Sequence, residues 1–369
     1  MERMYHKSRV SSIWPDALST AGVSRALVAT NPMTVGFLTS FLPGKSHHMT
    51  HSGYEQLIRY IDHSSVFYVK DFPRLSRITY PLRLARILPK SYASAHAELA
   101  ALKSNETILH HLYGEDTLWL SFLRRFCERR HIIATLHRPP HVMNRTMPVC
   151  WKRSLRRLAG IIVLSPGQLS YLRSTLGEND ARLALIPHGV DSEYFAPDPK
   201  HDRTGDLGLI VGTYLREYKT LAKAMRIVSG RAPSLRLGLV SRQRANISNV
   251  ENFGRLSDRE LLAYYRKASF VVLPFEDATA SNALLEAMAC GLPIVCPDLS
   301  AVRYYIGKDA PTTYKPWDYN ELASKVLWLY ENGQERDRLG SRMRERSELF
   351  SWDIVSARVG SFYKLILES

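Results

Sequence analysis

The run at residues 271–298, VVLPFEDATASNALLEAMACGLPIVCPD, constrains the fold more than any other stretch of the chain. Residues 271–274 are a short apolar run of the kind that ends a buried parallel strand. Residues 276–281 are small and polar, a loop, and Ser281 or Asn282 is placed to cap a following helix. That helix is predicted over about 283–289 and stops at Cys290 and Gly291, where glycine can take a left-handed cap. Pro293 opens a second strand at 294–295. A strand, a small-residue loop and a helix start bring free N–H groups and the positive end of the helix dipole to one point, and both favour phosphate. Glu286 lies one turn into the helix, where a carboxylate can accept hydrogen bonds from the two hydroxyls of a ribose.

The same unit recurs. A strand candidate at 34–38 leads into FLPGKSHHMTHSGYEQLIRYI, a Gly-, Ser- and His-rich loop with Ser52 and Gly53 at the entry to an amphipathic helix predicted from Tyr54. ILHHLYGEDTLWLSFLRRF reads as strand, loop at 113–116 and helix. HIIATLHRPP is a strand that ends at His137, stopped by Arg138, Pro139 and Pro140. Residues 158–165 are a strand with a helix beginning near Pro166. After the polar linker PDPKHDRTGD come a strand at 207–211, a loop at 212–219, a helix at 221–229, a strand at 235–240 and a helix at 257–267. Strands alternating with helices imply parallel sheets covered on both faces. Two such runs imply an α/β protein of two Rossmann-like domains facing a cleft, with ligands at the C-terminal ends of the strands. A last helix, about 352–367, carries an apolar stripe at helical spacing. The expected division is a lead-in at 1–33, a first domain at 34–198, a second at 199–350 and the closing helix at 351–369.

A chain of 369 residues fits two domains of ordinary size. Apolar residues make up 45% and charged residues 23%, a soluble globular balance. No apolar run approaches the ~20 residues that span a bilayer, and the N-terminus lacks the apolar core of a signal peptide. Cys127, Cys150, Cys290 and Cys296 show no CxxC spacing, so neither a zinc site nor a disulfide framework is indicated, and a reducing cytoplasm fits. His47, His48 and His51 share a loop without Cys, Asp or Glu, which argues against a metal. The net charge of +15 is uneven: residues 1–200 hold 26 Lys and Arg against 15 Asp and Glu, and 201–369 hold 24 against 20. The excess gathers at 74–86, 124–130 and 152–157. Such a field attracts anionic membranes, anionic glycans or nucleic acid, or is a solvated basic surface.

The half-motif N-A-L-L-E-A-M-A-C-G-L-P-I-V at 282–295 resembles the donor-binding motif of retaining glycosyltransferases with the GT-B fold, the family 4 or group 1 type. Those proteins usually carry E-x7-E. Here Ala278 stands eight residues before Glu286, with Asp277 and Glu276 beside it, an A-T-A-x-N variant. The I-P-H-G-V-D at 186–191 resembles the family's interdomain signature. The resemblance covers roughly 34–367. It implies an acceptor-binding first domain, a nucleotide-sugar donor domain and a last helix that crosses back onto the first. It also implies transfer of a hexose from a nucleoside-diphosphate sugar to a glycan or lipid-linked hydroxyl, in polysaccharide biosynthesis, with retention and with the leaving phosphate assisting the incoming hydroxyl.

Cleavage between an anomeric carbon and a phosphate oxygen builds negative charge on the diphosphate, so the site needs cations and N–H donors there. Arg216 and Lys219, in the loop that opens at Gly212, resemble the family's diphosphate-holding pair. His137 resembles its cleft histidine, set against the sugar. Asp277, Thr279, Ala280, Ser281, Asn282 and Glu286 complete the donor side. Ser52, Gly53 and Glu115 are expected on the acceptor side, Glu115 as a base. No D-x-D motif occurs, so no metal and no other cofactor is expected. Three other readings stay open: a nucleotide-sugar epimerase on the same fold, a non-catalytic binder of nucleotide or anionic polymer, and a nucleic-acid binder suggested by charge alone. The expected location is cytoplasmic, with reversible peripheral docking on an anionic membrane face.

Overall fold

The computed structural model describes residues 33–40, 50–69, 88–121, 130–146, 149–177, 182–198, 203 and 205–369. The lead-in before Met33, His47, His48, the basic runs at 74–86 and 124–129, Cys127 and part of the 197–206 linker lie outside the described residues. The residues from Thr34 to Ser369 form one compact unit.

Among the described residues, twelve strands divide into two six-stranded sheets, and every strand pair within them is parallel. The first holds β1 (Val35–Thr39), β2 (Ser65–Tyr68), β3 (Ile108–His111), β4 (His131–Leu136), β5 (Gly160–Val163) and β6 (Leu183–Leu185) in the order β2-β1-β3-β4-β5-β6. The second holds β7 (Leu207–Val211), β8 (Arg236–Val240), β9 (Val250–Gly254), β10 (Phe270–Val272), β11 (Ile294–Pro297) and β12 (Thr313–Tyr314) in the order β12-β11-β10-β7-β8-β9. Strand order reverses between β1 and β3 in the first sheet and between β7 and β10 in the second. A crevice opens at such a reversal, because successive connections leave on opposite faces. The loops carrying Ser52, Gly53 and Tyr113 therefore stand over one crevice, and those carrying Gly212 and Asp277 over the other.

The final helix, Trp352–Glu368, belongs to the core of the first sheet. Trp352, Val355, Val359, Phe362, Tyr363 and Ile366 pack with Val35, Phe37, Tyr54 and Ile133. This packing covers the apolar stripe, and burying each large side chain contributes roughly 1.5–3 kcal/mol. A Cβ at Gly189 would lie 2.4 Å from the Trp352 ring, so the close approach of the connecting segment to this helix requires glycine.

Two expected elements are corrected. Residues 113–116, expected as a loop, overlap the short helix Gly114–Thr117. The amphipathic helix from Tyr54 is only a six-residue 3-10 turn, Tyr54–Arg59. Tyr54, Glu55, Gln56 and Leu57 are all buried in succession, and four neighbours buried together cannot share one face of an α-helix.

Candidate functional site

A cavity of about 750 Å³ lies between the loops at the C-terminal ends of the two sheets, a size suited to a nucleotide-sized ligand. The loops after β7 and β10 are knitted into one floor. The Glu217 amide donates to the Pro274 carbonyl at 2.7 Å and the Glu276 amide to the Leu215 carbonyl at 2.9 Å.

The helix Asn282–Ala289 starts at this floor, with Ser281 as its cap accepting from the Leu284 amide. The residues ahead of that capped amide, Asn282 and Ala283, line the cavity, as do Asp277, Thr279, Ala280 and Ser281. Thr279 is 3% exposed and its Oγ1 has no hydrogen-bond partner among the described residues. A buried hydroxyl left so costs about 1–3 kcal/mol unless a ligand completes it. Glu286 is 4% exposed. Its Oε2 accepts from Tyr265 Oη at 3.0 Å, and its Oε1 accepts from Ser52 Oγ on the first-sheet side. Burial pushes the carboxyl up to about 7, against the pull of those two donors. It therefore changes charge near neutral pH.

Gly212 has φ 99°, and a Cβ there would come 2.6 Å from Arg216 Nη2. The glycine lets the chain turn tightly over the guanidinium. Arg216 lines the cavity. It donates to the Val211 carbonyl through Nε and Nη2, to the Tyr214 carbonyl through Nη1, and lies 4.4 Å from the Phe275 ring centroid. Burial lowers it to about 10, so it stays cationic at neutral pH. Lys219 departs from the expectation. It is exposed and does not line the cavity. The sequence places it in the exposed first turn of the helix Tyr218–Arg231, whose first amides are capped by Glu217 at 2.9 and 2.7 Å.

On the first-sheet side, His137 lines the cavity beside Tyr113 and Arg138. Its Nε2 donates to the Leu112 carbonyl at 2.8 Å, and its ring stacks on Tyr113 at 4.4 Å. Glu115 does not reach the cavity as a free base. It is buried, and its Oε1 accepts from the His137 and Arg138 amides at 2.5 and 2.6 Å. Burial pushes it up to about 7. Its position is that of a brace for the end of β4. Gly53 is likewise off the main cavity; with φ 95° it turns the chain into the 3-10 segment. Ser52 does line it, but it meets Glu286 rather than an acceptor surface.

Several cavity residues were not singled out from the sequence. Asp258, Arg138, Thr213 and Tyr214 line it, Tyr265 holds Glu286, and His141 Nδ1 lies 2.7 Å from Asp277 Oδ2. Arg138 was legible only as a strand-stopping neighbour of prolines. Asp258 and Tyr265 sit in an ordinary amphipathic helix pattern, which gives no signal of a site. Among the described residues no group of three or more His, Cys, Asp and Glu could hold a metal ion, and no helix is long and apolar enough to cross a membrane.

Residues 209–332 match the family model for glycosyl transferases group 1. Among curated proteins, the chain is 26% identical over 230 residues to the MMP alpha-(1->4)-mannosyltransferase of Mycolicibacterium hassiacum, covering 58% of this chain and 56% of that protein. It is 26% identical over 277 residues to the phosphatidyl-myo-inositol mannosyltransferase of Mycolicibacterium smegmatis, covering 69% of this chain and 70% of that one. The chain thus spans only a little over half the length of the first of these relatives. Among solved structures, sucrose-phosphate synthase from Thermosynechococcus elongatus superposes with TM-score 0.70 at 17% identity, over 91% of this chain and 99% of that one. Anabaena Alr3699/HepE in complex with UDP superposes with TM-score 0.66 at 15% identity, over 90% and 100%. At those identities the likeness is one of fold: two Rossmann-like domains in the GT-B arrangement.

Proposed function

Since the chain carries a group 1 glycosyltransferase domain at residues 209–332, we propose that it moves a hexosyl group from a nucleoside-diphosphate sugar to a hydroxyl of a glycan or lipid-linked acceptor, with retention of configuration. The observation that carries this reading is Glu286. It is a buried carboxylate in the cavity, one turn inside a helix whose start lines the same space, beside the orphaned Thr279 hydroxyl. Vicinal hydroxyls of a ribose supply two donors to such a carboxylate, and the diphosphate then falls at the helix start and Arg216.

In the proposed reaction the bond from the anomeric carbon to the diphosphate oxygen breaks, and a bond from that carbon to the acceptor oxygen forms. The acceptor proton passes to the departing diphosphate. Negative charge grows on the diphosphate, and Arg216 and the start of the Asn282–Ala289 helix, which line the cavity, supply the charge and N–H donors to stabilise it. His137 forms the first-sheet wall against the sugar. No metal is required for that charge balance. The basic excess of residues 1–200 suits an acceptor at an anionic membrane face of the cytoplasm.

Incubation with a panel of nucleotide sugars, with release of nucleoside diphosphate followed with and without glycan and lipid-linked acceptors, tests the reading. Acceptor-dependent release that survives a chelator is the expected result. Absence of release with every donor and acceptor would overturn it.

A further inference from the structure

Three consecutive residues reach from the first-sheet side to three separate carboxylates downstream. Thr50 Oγ1 donates to Asp258 Oδ2, and Ser52 Oγ donates to Glu286 Oε1. Between them His51 Nδ1 lies 2.7 Å from Asp191 Oδ2, with its ring stacked on Tyr194 at 3.4 Å. Asp258 opens the helix after β9, Glu286 lies in the helix after β10, and Asp191 sits in the segment that joins the sheets. Gly53 then turns the chain sharply at φ 95° into the buried Tyr54.

Building on the glycosyl-transfer reading of this site, we propose that Ser52 is a positioning residue for the donor nucleoside: its hydroxyl, supplied from the opposite side of the cleft, fixes the Glu286 carboxylate and keeps it available as an acceptor for the ribose hydroxyls.

The geometry carries this in two steps. A carboxylate offers about four lone-pair directions. Ser52 uses one on Oε1 and Tyr265 one on Oε2, which leaves each oxygen a lone pair for one of two vicinal hydroxyls. The two supports differ in kind. Tyr265 stands in the helix Asp258–Lys267 on the same side as Glu286. Ser52 is 234 residues away in sequence and comes from the loop after β1 in the other sheet, so its bond crosses the cleft.

The charge of Glu286 follows the same bond. Burial disfavours the carboxylate, and Ser52 and Tyr265 favour it. The other ionisable groups facing it are Asp258, whose charge acts with burial, Cys290 at the end of its own helix, and the His51–Asp191 pair beside Ser52. Without Ser52 the carboxyl protonates at higher pH, and a protonated acid is the weaker acceptor for a ribose hydroxyl.

The test is calorimetric titration with uridine and guanosine diphosphates across pH on the full chain and on Ser52→Ala, Ser52→Thr and Glu286→Gln variants. Ser52→Ala should bind about tenfold more weakly near pH 6.5 and recover most of that loss by about pH 9, the midpoint having moved upward by roughly a unit. Ser52→Thr, which keeps the hydroxyl, should restore the parental profile. In the Glu286→Gln background, Ser52→Ala should change nothing further. A Ser52→Ala profile that tracks the parent, a loss equal at every pH, or an effect that persists in the Glu286→Gln background overturns the role of Ser52 alone. A parental chain that binds neither nucleotide at any pH overturns the site reading, and the role of Ser52 with it.

Discussion

Tyr363 and His110 stand 253 residues apart, and Tyr363 Oη meets His110 Nδ1 at 2.6 Å in the core of the first sheet. The other ring nitrogen lies 2.8 Å from Thr135 Oγ1. One imidazole thus ties the last helix to β3 and β4. This ring cannot accept a proton without loss, because burial holds His110 down to about 3, and the same is true of its neighbour His111.

Acid should weaken that tie. Between pH ~6.5 and ~3 the unfolded histidine binds a proton that the folded one refuses, so stability falls as pH falls, by about 1.4 kcal/mol per unit for each such residue. Glu55, Glu98, Glu115 and Glu286 act the other way, since burial raises each to about 7. The clean observable is therefore a difference. His110→Gln should be destabilised at pH 7.5, and its gap from the parent should close at about 1.4 kcal/mol per unit below pH 6.5. Urea unfolding at three pH values measures it, and a gap that does not move with pH contradicts the assignment.

Glu286→Gln should weaken donor binding by ~1.5–3 kcal/mol, because an amide oxygen is a poorer acceptor than a carboxylate. Parental affinity should rise as pH climbs through about 7 and the carboxyl ionises. The glutamine variant should lack that rise. Calorimetry at constant ionic strength separates the two profiles; unchanged affinity would remove Glu286 from the site.

Arg216→Ala and Lys219→Ala should part company. Arg216 is set over the cavity floor, and its loss should slow turnover by roughly 2–4 kcal/mol in activation free energy. It should also loosen the loop, whose Val211 and Tyr214 carbonyls it holds. Lys219 is exposed outside the cavity, so its removal should change rate and stability by no more than ~0.5 kcal/mol. Equal effects of the two substitutions on kcat would be incompatible with this geometry.

Thr279→Val should move stability and binding in opposite directions. Removing a buried hydroxyl without a partner should stabilise the empty protein by roughly 1 kcal/mol. The same change takes a hydrogen-bonding group from the ligand and should raise the donor Kd. A thermal unfolding scan with and without nucleotide shows both. A variant less stable than the parent would mean that the hydroxyl is already satisfied.

Much of the second sheet was legible because its signals are short-range. Ser281 caps its helix as the local pattern suggests, and Ser257 closes a capping box with Glu260. Other elements in both halves have no clear local signal: β2 and the helix Leu88–Leu102 in the first, and β9, β12 and the helices Tyr319–Glu331 and Gly333–Ser347 in the second. The 3-10 turn at Tyr54 defeats a helical reading because its burial is set by Tyr113, His137, His188 and Trp352 around it.

The sequence by itself determined the α/β alternation, the helix start at Ser281, the place of Glu286 one turn inside it and the glycine that lets the loop after β7 turn at Gly212. These rest on period, capping and backbone freedom, which neighbouring residues settle among themselves. Tertiary structure alone decided that Ser52 meets Glu286 across 234 residues, that Glu115 braces β4 rather than facing a substrate, that Lys219 stands exposed outside the cavity while Arg216 lines it, and that buried carboxyls change charge near neutral pH. Those outcomes depend on which distant groups exclude water from a side chain and which donors reach it, and neither is encoded in the spacing of residues along the chain.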